Sequence, residues 1–276
     1  MQRIDSHVHF WNYDPVRNSW ITEDMAIIRR DFLPGDLDPL MNANGMDGCV
    51  LVQVNQTENE NDFFLKLASD HNFVKGIVGW VNLCRDNIGD RLAHYRSEKK
   101  IRGFRHILQD EADRAYMLRP DFKRGIGLLR DFGFTYDLLI HPDQLPFALQ
   151  LVKEFPDQPF IIDHLAKPAI RKQELKEWKK EIFNISRMGN AYCKLSGMVT
   201  EANREEWTKN TFAPYIDAVV ECFGIDRILF GSDWPVCLQA ASYREVLNIV
   251  EDYFSPYSIS EKQKVFGKNA VDFYGL

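Results

Sequence analysis

Residues 135–164 read TYDLLIHPDQLPFALQLVKEFPDQPFIIDH. A β-branched and aromatic run, Thr135–Ile140, gives way after a Pro/Asp turn to Leu145–Lys153, where Leu145, Leu149 and Val152 share one helical face. A second such run, Phe160–His164, follows. Both runs are apolar almost to their ends, as strands covered on both faces are. Strand, helix, strand is the unit that parallel pairing needs. The unit recurs outward in both directions, with further runs at Arg3–His9, Cys49–Val54, Gly76–Val81, Ile101–Ile107, Tyr192–Ser196 and Ile228–Ser232. The eight starts are 46, 27, 25, 34, 25, 32 and 36 residues apart, room for one strand and one crossover helix each time. Tyr215–Cys222 aligns Ile216, Val219 and Val220, and Lys172–Lys180 alternates charge as a solvated helix does. Pro34, Pro120, Pro142, Pro146 and Pro214 fall near helix starts, where a missing N–H costs little. No Gly/Ser linker or solenoid-period repeat divides the chain. The pattern favours an α/β fold, a (β/α)8 TIM barrel over a six-stranded open sheet, as a single domain over residues 1–276.

Composition agrees with a folded barrel and narrows its partners. The chain has 276 residues, 45% apolar and 13% aromatic, which excludes a disordered or fibrous protein. Lys plus Arg is 34 against 40 Asp plus Glu, a formal charge of −6 with no long basic run, so a nucleic-acid partner is not expected. Cys49, Cys84, Cys193, Cys222 and Cys237 are odd in number and form no CxxC pair, which reads as free thiols in a reducing compartment. The opening MQRIDSHVHFW carries Arg3 and Asp5 and has no apolar signal core, and no window is long enough to span a bilayer. A cytoplasmic protein without a membrane partner is the expectation, and a homo-oligomer stays open.

In a barrel of this kind the chemistry sits at the C-terminal ends of the strands. Polar residues fall there after almost every run: His7 and His9, Gln53 and Asn55, Trp80 and Asn82, Arg105 and His106, His141, His164, Lys194 and Ser196, then Asp233. Five of the seven histidines lie at these ends, while His71 and His94 lie in helix-like stretches and are assigned no role. In His7-Val8-His9 the two imidazoles point to the same side of a strand and can meet one ligand. Neutral imidazole binds Zn2+, and Asp233 on the neighbouring last strand could close the site or serve as base. A bare HxH is also commonly two surface histidines, and taken alone Asp163-His164 reads better as a capping Asp and GSDWP (231–235) as a punctuated loop; it is their order along the strand ends that favours a site. Arg102 and Arg105 lie on opposite sides of the pleat, so one of them faces the mouth; Arg105, later in the strand, is chosen, its guanidinium suited to an ester carbonyl or carboxylate. His106, His141, Trp11, Trp80 and Trp234 are candidates for holding substrate, with Tyr13 and Trp20 nearby.

These residues resemble the amidohydrolase superfamily, and within it the branch of sugar and dicarboxylate lactonases. The matching segments are DSHVHFW, DGCVLVQ, GIVGWVNL, IRGFRHILQ, LLIHPDQLP, IIDHLAKP, CKLSGM, ILFGSDWP and GKNAVDFYGL, in order along nearly the whole chain. The resemblance implies a (β/α)8 barrel that hydrolyses a lactone of the L-fucono-, L-rhamnono- or L-galactono- type, or 2-pyrone-4,6-dicarboxylate. By motif it assigns His7 and His9 to the first-strand pair, Arg105 to the binding arginine, His164 to the sixth-strand histidine and Asp233 to the eighth-strand acid. Binuclear members of the wider superfamily carry a Lys or Glu on the fourth strand; Arg105 and His106 stand there instead. The expectation is therefore either no metal or a single divalent ion, zinc foremost, on His7, His9 and Asp233. Asp233 is the expected general base, with Arg105 and His164 or His106 polarising the carbonyl. No GxSxG elbow is present for a serine nucleophile. The alternatives are a zinc-dependent decarboxylase of the same superfamily and a non-catalytic sugar-acid binding barrel.

Overall fold

A computed structural model describes residues 2–276. Eight parallel strands form one sheet in chain order: β1 (Ile4–Val8), β2 (Gly48–Val52), β3 (Val74–Gly79), β4 (Ile101–His106), β5 (Thr135–Leu138), β6 (Phe160–Ile162), β7 (Ala191–Leu195) and β8 (Ile228–Phe230). Helices lie between them, and the sheet curls until Val8 bridges Trp234, making the single-domain (β/α)8 barrel. All eight expected strands are present, each ending one or two residues short of its run. Among the trimmed residues are His9, Gln53, His164 and Ser196, which leave the ladder at the strand ends. The seam between β1 and β8 is thin: His9 N–H donates to the Trp234 carbonyl at 2.8 Å and Asp233 N–H to the His7 carbonyl at 2.9 Å.

Leu145–Glu154 is helical as expected and buries Leu145, Ala148, Leu151 and Val152, with Leu149 only half-buried. Two helix expectations need correction. The charged stretch after Arg171 becomes helical only at Lys176–Ser186, and it is not solvated all round, since Trp178, Ile182 and Ile185 are buried. Pro214 lies inside Lys209–Phe223 rather than near its start. The carbonyl it fails to bond, four residues back, belongs to exposed Asn210, where water can serve it.

Outward-facing Cys49, Leu51, Phe104, Tyr136 and Ile162 pack under the helices. Ile4, Val50, Val52, Val78, Ile161 and Leu229 form a separate inner cluster with Ala270, Phe273 and Tyr274 of the last helix, Asn269–Tyr274. A register shift between Asp5 and Val8 lets both Ile4 and His7, three residues apart, serve the interior. All five cysteines are free, and Cys49, Cys193 and Cys237 are buried. Among the described residues no helix is long and apolar enough to cross a membrane.

Candidate active site

A cavity of about 410 Å³ opens at the C-terminal ends of the strands, with His9, Arg105, His164 and Asp233 in its wall. Asp233 is its centre. Its Oδ1 lies 3.3 Å from His9 Nε2, 3.8 Å from His7 Nε2 and 3.9 Å from His164 Nε2. Burial pushes the Asp233 pKa up, but His164, His9 and His7 outweigh it and hold the carboxyl well below the usual carboxylate range. Burial pushes His164 down to about 4, against the pull of Asp233 and Asp163. His7, wholly buried, is also held well below its ordinary value, by burial and then by the Lys194 ammonium. At neutral pH the site thus sets a carboxylate beside the neutral imidazoles of His7 and His164.

Local backbone explains how His164 and Asp233 reach it. Asp233 has φ +60, and His164, Leu165, Ala166 and Lys167 form a left-handed run with φ of 54, 54, 57 and 50. Each such residue costs roughly 1–2 kcal/mol without glycine, so neighbours must enforce the turn. Trp178 Nε1 donates to the Leu165 carbonyl at 2.7 Å, and Lys167 N–H to the His164 carbonyl at 2.7 Å. The ring itself is held by Ser196 Oγ, 2.9 Å from Nδ1. Gly197, at φ +63, leaves it room: a Cβ there would lie 2.5 Å from His164 Nδ1. Gly197→Ala should therefore displace the ring, lowering kcat/KM about tenfold and melting several degrees earlier, as kinetics and a thermal scan would record.

The donors also suit a metal ion. One ligand atom each from His7, His164 and Asp233 lies within 4.8 Å of the others, all three residues buried. His9 Nδ1 lies 2.8 Å from the Val52 carbonyl, which can only accept. Its Nε2 faces Asp233 Oδ1 at 3.3 Å, a nitrogen–oxygen pair that a bound cation could share. Two or three imidazoles with one carboxylate are a zinc-type donor set.

The family model for amidohydrolases matches residues 4–276. The chain belongs to the amidohydrolase family. It is 38% identical over 285 residues to an L-fucono-1,5-lactonase of Burkholderia multivorans, covering 99% of this chain and 96% of the relative. A second L-fucono-1,5-lactonase, from Burkholderia ambifaria, is 32% identical over 281 residues, again covering 99% and 96%. A crystal structure of a Burkholderia multivorans amidohydrolase with bound zinc superposes at a TM-score of 0.97, with 37% identity and all of both chains covered.

In this amidohydrolase the residues expected to hold substrate lie off the cavity. Trp11 and Trp234 are 2% and 1% exposed and pack on Phe32, with ring centroids 5.4 and 5.3 Å away. They are core residues because the long segment after β1 folds back over the barrel mouth. His106 is turned aside by Glu111, 2.7 Å from its Nε2, and stacks on Tyr116 at 5.2 Å. Trp80 lines a separate shallow groove with Thr57 and Arg85. His141 begins the turn Pro142–Gln144, where its N–H meets Gln144 Oε1 at 3.0 Å. Of the nearby aromatics Trp20 does reach the cavity, braced edge-on against Trp11 at 5.7 Å. Lys167, Glu201, Arg204 and Met25 also line it and were not anticipated. Lys167 and Arg204 come from loops, Met25 and Glu201 from the short helical turns Glu23–Ile28 and Met198–Glu201, whose course no periodicity reveals. Ser232 is wholly buried, its Oγ accepting from Trp234 N–H at 3.1 Å, which keeps it from acting as a nucleophile.

Proposed function

We propose that this amidohydrolase opens a sugar-acid lactone of the L-fucono-, L-rhamnono- or L-galactono- type to the free acid by attack of water. The observation that carries the reading is Asp233, an ionised carboxylate beside neutral imidazoles and the Arg105 guanidinium on one cavity wall, in a chain close to two L-fucono-1,5-lactonases. Asp233 takes the proton of the attacking water. Arg105, held by Asp163 Oδ2 at 2.9 Å and Gln53 Oε1 at 3.1 Å, meets the developing oxyanion. His164, its Nε2 3.9 Å from Asp233 Oδ1, assists, and His106, which pairs with Glu111 and does not line the cavity, takes no part. Asp233 then returns the proton to the leaving alkoxide. His7, His9, His164 and Asp233 would hold a single divalent ion, zinc by its donor preference, which when bound supplies Lewis-acid polarisation.

A pH-indicator assay over a sugar-lactone panel, before and after chelation, tests the reading. One acid released per turnover is expected. Carbon dioxide release with proton uptake would replace the reading with decarboxylation, and a thermal shift without turnover would replace it with a binding role. The pH profile is a further check. His164 is neutral above about 4 and charged below it, and Asp233 stays ionised lower still, so falling pH first removes activity by charging His164. We expect kcat/KM to be flat from about pH 5.5 to 8, with its acid limb near that of His164. An acid limb at an ordinary histidine value would contradict the site described.

A further inference from the structure

Four charged side chains run from the cavity wall into the barrel interior, none more than 4% exposed: Arg105, Asp137, Asp163 and Lys194. The hydrolysis above engages only Arg105 directly. Lys194 joins the others. Its Nζ lies 2.6 Å from Asp137 Oδ2, 2.9 Å from Asp163 Oδ1 and 3.1 Å from His7 Nδ1. Two carboxylate oxygens and one ring nitrogen thus surround the ammonium. Below, the Tyr274 hydroxyl donates to Asp137 Oδ2 at 2.8 Å, and the Tyr274 ring lies 5.5 Å from the ammonium. Above, Asp163 turns its second oxygen to Arg105 Nη1 at 2.9 Å. The His7 ring is thereby set between Lys194 and Asp163 Oδ1 at Nδ1, 3.1 and 3.4 Å away, and Arg105 Nη1 at Nε2, 3.3 Å away, with Asp233 Oδ1 3.8 Å from Nε2.

Stability alone does not account for this layer. Barrel interiors are ordinarily filled by branched aliphatics, and replacing a buried ion pair by apolar groups of like volume is often neutral or better. What the ions supply here is orientation. We propose that Lys194 is a positioning residue for lactone hydrolysis: its ammonium, anchored from below by Asp137 and Tyr274, orients His7 and, through Asp163, Arg105. The proposal rests on the hydrolytic reading of the same site.

Lys194→Met and the double variant Lys194→Met/Asp137→Asn test it against the intact protein. The single variant leaves two buried carboxylates to one guanidinium, so its Tm should fall by about 10 °C. The double variant removes one charge of each sign and keeps Asp163 on Arg105, so its Tm should return to within about 4 °C of the intact protein. Its kcat should nevertheless stay down by about twentyfold or more with KM within about threefold, because orientation is lost while the substrate wall is unaltered. A double variant that regains kcat together with Tm would show that Lys194 merely neutralises Asp137, and would overturn the proposal. Should the double variant not fold, Tyr274→Phe, which keeps every charge, decides: kcat should fall about threefold at nearly constant Tm, and unchanged kcat overturns the anchoring. An intact protein that opens no lactone would instead sink the hydrolytic reading. Lys194 is then judged by the ring nitrogen resonances of His7, which should differ between the intact protein and the double variant, or Tyr274→Phe if the double variant does not fold; identical resonances overturn it.

Discussion

Asp233→Asn loses about three orders of magnitude in kcat/KM and melts within a few degrees of the parent, the range set by removing a positioned general base. The amide keeps the size of the carboxyl but cannot take a proton from water at any working pH. The fold is spared because the loop is held by backbone: Asp233 N–H on the His7 carbonyl and His9 N–H on the Trp234 carbonyl, neither involving the side chain. A pH-indicator assay beside a thermal scan separates the two effects. Retention of more than about a tenth of parental kcat/KM would remove Asp233 from the role of base.

Arg105→Met gives the second large effect, and it is double. Losing the donor at the oxyanion costs about 10²- to 10³-fold in kcat/KM. The guanidinium is also buried against Asp163, and removing one partner of a buried pair costs about 3–5 kcal/mol. Lys194 still faces Asp163 at 2.9 Å, so the lower end applies. For a chain of this size that is a Tm lower by about 5–10 °C. Arg105→Lys restores charge without the planar fork and should recover stability better than rate. A lowered Tm with unaltered kinetics would leave Arg105 a purely structural ion.

Much of this arrangement was legible in the chain, and what was not has physical reasons. The strands stood out because both of their faces are covered, which leaves apolar runs such as Cys49–Val52 without alternation. Those runs located His7, His9, Arg105, His164 and Asp233 at one mouth, since strand ends in a parallel barrel share a side. Asp137 escaped notice, although a carboxylate with Tyr136 on one side and Leu138 on the other can only be inward and paired. Lys194 carried the same signal between Cys193 and Leu195, yet read as one more polar strand end. The tryptophans misled because side-chain chemistry alone does not say which way a loop turns. Trp11 and Trp20 sit in the same segment, and one is core while the other reaches the cavity. The left-handed turn at His164–Lys167 has no glycine to announce it; its enforcer, Trp178, lies in a stretch whose charge pattern hid a buried face.

The thin seam between the first and last strands has a consequence for how the protein acquires activity. His9 and Asp233 meet across it at a separation of 224 residues, the kind of contact a folding chain makes late. The seven interior ladders can assemble, with their helices, before that meeting happens. A refolding population would then recover its circular dichroism ahead of its turnover. Catalysis in this protein is a gauge of ring closure, stricter than any measure of how much helix or sheet has formed.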